Sequence, residues 1–342
     1  MSIKNAIKSG LVRGFSLPPA RHLARKLASD SALIFMLHRF QDNDLAIKGH
    51  DPAFLRQCLE ELRRQKYQLV SVDDIVNANL NGEVIKNAVA FTVDDGYLDH
   101  ADIGGDAFSD YDCPATFYLI SDFINDEYWP EDAKVKYLFE STRVKTINWQ
   151  CGDLSLQTSL DGEHLRHSAA EAVVWAAKEL SIEQMQLATI SLAQALEVEI
   201  PAQAPSKYRP MSWDDARKLE KSGMRIGAHT CQHVTLSQED DPSAHSEIMG
   251  SFDAIMRNVK NPSKVFCYPT GRTQDFNQRD IDILKQGDFS GAVSSAPGYF
   301  KFGDMNQMFT MPRMGMPDKL VDFRQYTCYP ELFKSKIRSS IR

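Results

Sequence analysis

Two adjacent carboxylates directly follow an uncharged stretch of this 342-residue chain. The stretch Ala88–Val93 carries no charge, and Asp94, Asp95 and Gly96 come immediately after it. A short apolar run with β-branched residues is typical of a strand that is buried on both faces. Active sites of parallel α/β folds are built where such strands end. The two carboxylates are therefore expected to hold a cation or to transfer protons, although a solvated Asp-Asp-Gly turn also explains the pattern.

Three histidines are predicted to lie at the ends of two other strands. His38 follows the apolar run Ala32–Leu37, and His229 and His233 follow the short strand Met224–Ala228. Two imidazoles and a carboxylate form a donor set that holds a catalytic metal ion and leaves a position for water. Such an ion makes water acidic enough for a neighbouring carboxylate to take its proton. Each motif alone also occurs by chance, but their combination on strand ends favours a catalytic metal site.

Strand-like and helix-like patterns alternate over most of the chain, which predicts an α/β fold with a parallel sheet or barrel. The alternation stops between about residues 123 and 208, where we predict a mostly helical insertion that forms one wall of the cleft. Within it, the spacing of His164 and His167 suits a metal, but two solvated helix histidines explain it as well. Ser212 and Ser243 are predicted to cap the helices that follow them. We expect the barrel to span residues 31–315, between a segment 1–30 and a C-terminal helix and tail 316–342.

Charge is distributed unevenly along the chain. The net charge is −7, yet residues 1–29 and residues 332–342 contain basic residues and no acid. The remaining acidic body does not suit a nucleic-acid binder, because phosphate contacts require a basic face. The basic ends suit an anionic membrane surface. In the first segment the apolar residues recur every four positions, which predicts an amphipathic helix that either docks on the body or lies on a membrane.

The pattern of cysteines and the length of the apolar runs indicate the cellular compartment of the protein. Six scattered cysteines without a Cys-x-x-Cys motif favour reducing conditions over a disulfide framework or a thiolate zinc site. No apolar run approaches the length of a membrane span, and no secretory signal is recognisable. We therefore expect a cytoplasmic protein, which its basic ends could bring into peripheral contact with the inner membrane face.

Three motifs together resemble a known family. They are Asp-Asp-Gly at 94–96, His-Thr-Cys-Gln-His at 229–233 and Phe-Cys-Tyr-Pro-Thr-Gly at 266–271. This combination resembles the polysaccharide deacetylases with the NodB homology domain (carbohydrate esterase family 4), over about residues 31–123 and 208–315. The resemblance implies a distorted (β/α)₇ barrel, here interrupted by the insertion.

The resemblance also implies a role for each matching residue. Asp94 corresponds to the catalytic base. The metal ligands are Asp95, His229 and His233, and the residues assigned to the oxyanion and substrate are Thr270, through its N–H, Tyr268 and Arg313. The implied cofactor is one divalent ion, zinc in the first place, with cobalt or nickel as alternatives.

Two positions depart from the family pattern. Cys267 stands where the family usually has an arginine that tunes the base, and Arg313 or Arg272 could replace it. The family's late general-acid histidine is also missing, since no histidine follows His245. Circularly permuted members, like the deacetylases of poly-N-acetylglucosamine export, carry that histidine on the first strand. His38 matches that position, and we therefore assign it as the acid that protonates the leaving amine.

These assignments predict a metal-dependent hydrolase that removes an N-acetyl group from an amino sugar of a polysaccharide, oligosaccharide or lipid-linked glycan. The expected partner is an N-acetylated glycan and not a nucleic acid. Two alternatives remain open at this point: a glycan-binding homologue with weak or no turnover, and a metal amidase that acts on a non-sugar amide.

Overall fold

The main strands that end at the candidate site belong to one parallel sheet. The computed structural model describes residues 29–327. Four strands lie side by side and all run parallel; they are β1 (Ser31–Leu37), β3 (Ala88–Asp95), β4 (Thr116–Leu119) and β7 (Arg225–Ala228). Three short strands extend this sheet: β2 (Gln68–Leu69) pairs with β3, while β10 (Phe300–Lys301) and β11 (Met314–Gly315) pair with β1.

The remaining two barrel strands form a separate parallel pair, β8 (Val265–Cys267) and β9 (Gly291–Val293). In the described residues a single backbone hydrogen bond connects this pair to β7: the Ser263 amide, two residues before β8, donates to the Ile226 carbonyl of β7 at 2.7 Å. On the other side, β9 bonds to Met311, and the Met316 amide bonds to the Met36 carbonyl of β1. The predicted α/β fold with a parallel sheet is confirmed, and its strands follow the order of a distorted barrel with interrupted ladders.

The alternation of side chains along β1 and β3 explains why both strands are apolar throughout. Leu33 and Phe91 belong to one buried cluster, whereas Ile34 and Ala90 belong to another on the opposite face. Because both faces are covered, neither strand tolerates a charge before its C-terminal end.

The helices follow one another along the described chain as α1 (Pro52–Arg64), α2 (Val72–Leu80), a π-helical turn (His100–Gly104), α3 (Gly105–Ser109), α4 (Ser121–Ile124), α5 (Glu131–Ser141), α6 (Glu163–Ala177), α7 (Ile182–Ala195), α8 (Trp213–Lys221), α9 (Asp241–Asn258), α10 (Gln278–Gln286) and α11 (Leu320–Thr327). The predicted cap of α8 by Ser212 is confirmed. The predicted cap of α9 by Ser243 is wrong, because the Asp240 side chain accepts from the Ser243 N–H at 2.8 Å and the helix begins earlier.

The insertion between the barrel segments has its own small core. It consists of α5, a hairpin of β5 (Thr146–Cys151) and β6 (Leu154–Ser159), α6 and α7. Leu138, Trp149 and Leu192 are among the side chains that pack together inside it. Of the described helices, none combines the length and apolar character needed to cross a membrane. The predicted N-terminal amphipathic helix and the basic tail after residue 327 lie outside the described residues.

Candidate active site

One cavity of about 540 Å³ opens at the C-terminal ends of β1, β3 and β7, within the size range of small-molecule sites. All residues to which the family resemblance gave a role line it. They are His38, Asp94, Asp95, His229, His233, Tyr268, Thr270 and Arg313. These side chains therefore share one cavity.

Asp95, His229 and His233 have the geometry of a three-ligand metal site. The Asp95 Oδ1 atom lies 3.6 Å from the His229 Nε2 atom and 3.5 Å from the His233 Nε2 atom. The candidate ligand atoms of the three residues all lie within 4.8 Å of one another. The His229 Nδ1 atom is hydrogen-bonded to the Cys267 carbonyl at 2.8 Å, so the Nε2 atom is the one left to bind an ion. A carboxylate and two imidazoles suit zinc and similar divalent ions.

A second group of candidate ligands, Asp94, His229 and Cys267, fits a metal less well. Burial raises the pKa of the Cys267 thiol, so this sulfur keeps its proton. Asp94 is already paired with Arg313. The first group, with Asp95, therefore remains the better candidate.

Arg313 holds Asp94 in its ionised form. The Arg313 Nη1 atom donates to Asp94 Oδ1 at 2.8 Å and to Thr92 Oγ1 at 2.9 Å, and Nε donates to the Ser294 carbonyl at 2.9 Å. Burial alone would raise the pKa of Asp94, but Arg313, followed by His229 and His38, lowers it below its ordinary value. Both side chains are almost completely buried. Of the two arginines considered as substitutes for the missing family arginine, Arg313 is the one that contacts Asp94.

The two neighbouring carboxylates face the same cavity although strand alternation would point them apart. The backbone explains this: Asp95 has a φ of 93°, in a region that non-glycine residues rarely adopt. Asp95 thus departs from regular strand geometry although it still pairs with Leu119 of β4. Both carboxylate side chains therefore reach the cavity.

The segment from His229 to His233 is a tight loop and not a helix. Thr230 and His233 have positive φ values of 62° and 61°. The Glu247 carboxylate of α9 accepts from the backbone amides of Cys231 at 2.8 Å and Gln232 at 2.9 Å. Burial raises the pKa of Glu247 to about 7, against the effect of these two amides. Glu247 therefore fixes the loop that presents both imidazoles.

The loop after β8 presents the Thr270 amide. Thr270 has a φ of 54°, and its hydroxyl donates to the buried Asp275 carboxylate. Within the described residues this amide has no acceptor, so it is available to a ligand in the cavity. The Tyr268 hydroxyl, in contrast, donates to the Phe309 carbonyl at 3.0 Å, and its ring stacks on Phe276.

His38 is exposed to the cavity at the end of β1. The two residues that follow His38 are held by Asp99, which lies four residues after the end of β3. Asp99 accepts from Arg39 Nε at 2.8 Å and from the Phe40 amide at 2.7 Å. The Arg39 guanidinium also stacks over the Tyr97 ring at 4.0 Å. No sequence signal singles out Asp99, because a carboxylate one turn after Asp95 is equally typical of a solvated helix start.

Comparisons of the sequence and of the fold with known proteins both find deacetylases. The sequence profile of the family described as Polysaccharide deacetylase matches residues 163–290, which include His229, His233 and Thr270. The fold is similar to that of three solved deacetylases at low identity. They are the Streptococcus pyogenes deacetylase PplD in complex with acetate (TM-score 0.57, 15% identity, 88% of this chain and 99% of that chain), IcaB from Ammonifex degensii (0.54, 13%, 87% and 97%) and the de-N-acetylase from Aggregatibacter actinomycetemcomitans (0.53, 16%, 87% and 100%). Among curated proteins none matches the chain significantly.

The resemblance to the polysaccharide deacetylases is confirmed. The match begins at residue 163, within the insertion, and does not include Asp94, Asp95 or His38. At these levels of identity the solved structures show a shared fold.

The insertion contributes a wall to the cavity, which the sequence could only suggest in outline. Asp132 and Lys136 of α5 line the cavity, as do Trp175 of α6 and Lys178 directly after it. His164 and His167 are exposed and do not line it. The spacing of Asp132 and Lys136 fits an ordinary helix ion pair, and nothing in the pattern around Trp175 marked it as a cavity residue.

Proposed function

We propose that this protein is a metal-dependent hydrolase that removes an N-acetyl group from an amino sugar of a glycan. The observation that carries the proposal is the convergence of Asp95, His229 and His233 beside the ion-paired carboxylate of Asp94, in one cavity. The family match supports deacetylase chemistry, and an acetylated glycan is the substrate class it implies.

Each of these cavity residues has its own role in the proposed reaction. A divalent ion held by Asp95, His229 and His233 would act as a Lewis acid and make water more acidic. Asp94, which its surroundings keep ionised, accepts the proton of the attacking water. The Thr270 N–H donates to the oxygen that becomes negative as the amide carbonyl is attacked. His38 gives a proton to the sugar nitrogen as the carbon–nitrogen bond breaks.

The first experiment measures acetate release from N-acetylated oligosaccharides by zinc-loaded wild type and Asp94→Asn. We expect the variant to release acetate at least about a hundredfold more slowly, because an amide cannot accept the proton. Zinc affinity should stay within a factor of a few, since Asp94 is not one of the proposed ligands. Asp288→Asn serves as the control, because the Asp288 side chain is largely exposed and outside the cavity.

Unchanged acetate release by Asp94→Asn would exclude Asp94 as the base. A wild type that binds the oligosaccharides and releases no acetate would favour the glycan-binding alternative. Release of acetate only from non-sugar amides would favour the amidase alternative.

The proposal includes a location. The basic residues at both ends of the chain support peripheral contact with the inner membrane face, where a lipid-linked glycan could be the substrate. These residues lie outside the described part of the chain, so their sequence alone supports this point. Sedimentation of the full chain with phosphatidylglycerol vesicles, but not with phosphatidylcholine vesicles, is the expected result, and equal recovery in both supernatants would contradict it.

A further inference from the structure

Trp175 of α6 is the exposed residue that stands out in the cavity. The residue is 60% exposed, whereas tryptophan is usually buried over most of its surface. Among the large hydrophobic residues exposed in the described chain, Trp175 alone lines the catalytic cavity. A large apolar ring that lines a polar cavity is more typical of a ligand contact than of accidental exposure.

Two cations hold the indole in place. The Lys178 Nζ atom lies 4.8 Å from the centroid of the Trp175 ring, and the Arg272 Cζ atom lies 5.0 Å from it. Arg272 is itself fixed by Asp275 at 2.6 Å and by Glu179 of the insertion at 3.1 Å. The ring is therefore oriented by its neighbours and still largely open to solvent.

The charged groups beside the indole suit hydroxyl groups better than a single ionic ligand. Lys178 is half-buried and has no carboxylate partner among the described residues, so its N–H groups can donate to a ligand. Lys136 and Asp132 form a pair at 3.3 Å on the same wall and offer both donors and acceptors. Acidic and basic side chains alternate on this wall. Its described residues therefore have no large net charge that would select an anion or a cation.

An apolar ring face next to fixed donors and acceptors matches the chemistry of a pyranose. One side of a pyranose ring presents C–H groups, which carry partial positive charge and pack on the negative face of an aromatic ring. Its hydroxyl groups require hydrogen-bond partners when they leave water. Trp175, Lys178 and the Asp132–Lys136 pair provide both kinds of contact.

We propose that the insertion wall is a second sugar-binding subsite, which takes the pyranose unit next to the one that is deacetylated, with Trp175 as its platform. This inference rests on the proposed function, because the acetylated unit must occupy the catalytic end of the cavity near Asp94 and Asp95. Substrates of more than one sugar unit should then bind better than a single sugar, and the difference should depend on the indole.

The test compares N-acetylglucosamine with linear N-acetylglucosamine tetrasaccharides on zinc-loaded wild type, Trp175→Ala and Trp175→Phe. For Trp175→Ala we expect a loss of kcat/KM of about five- to tenfold on the tetrasaccharides and no change on the monosaccharide, as loss of an aromatic contact of this strength predicts. Trp175→Phe should recover most of the loss. The control is Leu187→Ala, since Leu187 of α7 is 59% exposed on the same insertion and does not line the cavity.

A readout independent of turnover keeps the two proposals separate. Calorimetric titration of the tetrasaccharides into Asp94→Asn, with and without Trp175→Ala, should show the same loss of affinity, about five- to tenfold. Equal losses on monosaccharide and tetrasaccharide, or no loss at all, would overturn the subsite. Tetrasaccharide binding that depends on Trp175, without acetate release by wild type, would instead overturn the proposed function and support the subsite.

Discussion

Four non-glycine residues that line the cavity or, like Thr230, lie directly beside a lining residue have positive φ values. They are Asp95 at 93°, Thr230 at 62°, His233 at 61° and Thr270 at 54°. Each such conformation costs on the order of 1–3 kcal/mol and persists only where its surroundings enforce it. In this protein Glu247 holds the histidine loop and Asp275 holds the loop of Thr270. The strained residues are the ones that bring the ligand atoms and the free amide to the same cavity.

Replacing Arg313 tests the support of Asp94. In Arg313→Met a buried carboxylate loses its cation, which should cost about 3–5 kcal/mol of stability. Burial then raises the pKa of Asp94, and more of the base is protonated at neutral pH. We therefore expect the acidic limb of kcat/KM against pH to move to higher pH. The double variant Arg313→Met with Asp94→Asn should recover stability and remain inactive.

Arg279→Met is the matched control for this prediction. Arg279 is also paired with a completely buried carboxylate, Asp280, at 2.8 Å, but neither residue lines the cavity. This variant should lose stability without any movement of the acidic limb. An acidic limb that stays in place in Arg313→Met would show that Arg313 does not tune the base.

Among the elements that surround the cavity, the loop between β8 and α10 is built around one buried carboxylate. Asp275 accepts from the Thr270 hydroxyl, from the Arg272 amide at 2.8 Å and from the Arg272 guanidinium at 2.6 Å. Gly271 brings the loop close to the end of β9, because a Cβ atom there would lie 2.8 Å from the Ser295 amide. The Ser295 hydroxyl also donates to the Thr270 carbonyl at 2.6 Å. The direction of the Thr270 N–H is therefore fixed from both sides.

Asp275→Asn should disturb that amide without removing it. We expect kcat to fall by up to about a hundredfold with KM changed much less, because a small displacement of a fixed donor mainly affects the transition state. Zinc affinity should not change, since Asp275 contacts none of the proposed ligands. Steady-state kinetics of acetate release measure the separation of kcat from KM.

Asp280→Asn controls for the loss of a buried carboxylate in the same region. Asp280 is also buried, and its side chain accepts from the Asn277 amide at the start of α10. It should lower stability and leave kcat unchanged. Equal effects of both variants on kcat would mean that Asp275 has a structural role only.

The elements that local patterns define could be predicted from the sequence. The apolar run of β1 ends with its strand at Leu37, and that of β3 ends at Val93, two residues before its strand ends at Asp95, because burial on both faces excludes charge from most of each strand. The pairing of Arg313 with Asp94 could not be read in the same way, since Arg313 stands beside β11, a strand of two residues with no pattern of its own. The position of Trp175 depends on how the insertion packs on the barrel, which local periodicity does not encode.

In the molecule as a whole, the insertion contacts the loops that line the cavity. Glu179 contacts Arg272 at 3.1 Å, and the Ile182 amide donates to Glu239 at 2.7 Å. These contacts place α6 and α7 beside the loops that carry Thr270 and His233. The barrel thus carries the residues of the proposed chemistry, and the insertion supplies a wall of the cavity.

Titration of zinc into the metal-free protein decides whether Asp95, His229 and His233 hold an ion together. We expect one zinc ion per wild-type chain and one per Asp94→Asn chain. We also expect affinity at least about tenfold weaker for Asp95→Ala, since loss of a ligand should cost no less than loss of a residue that only supports one. A wild type that binds no stoichiometric zinc would contradict the proposed site, and so would an Asp95→Ala variant that binds zinc like wild type.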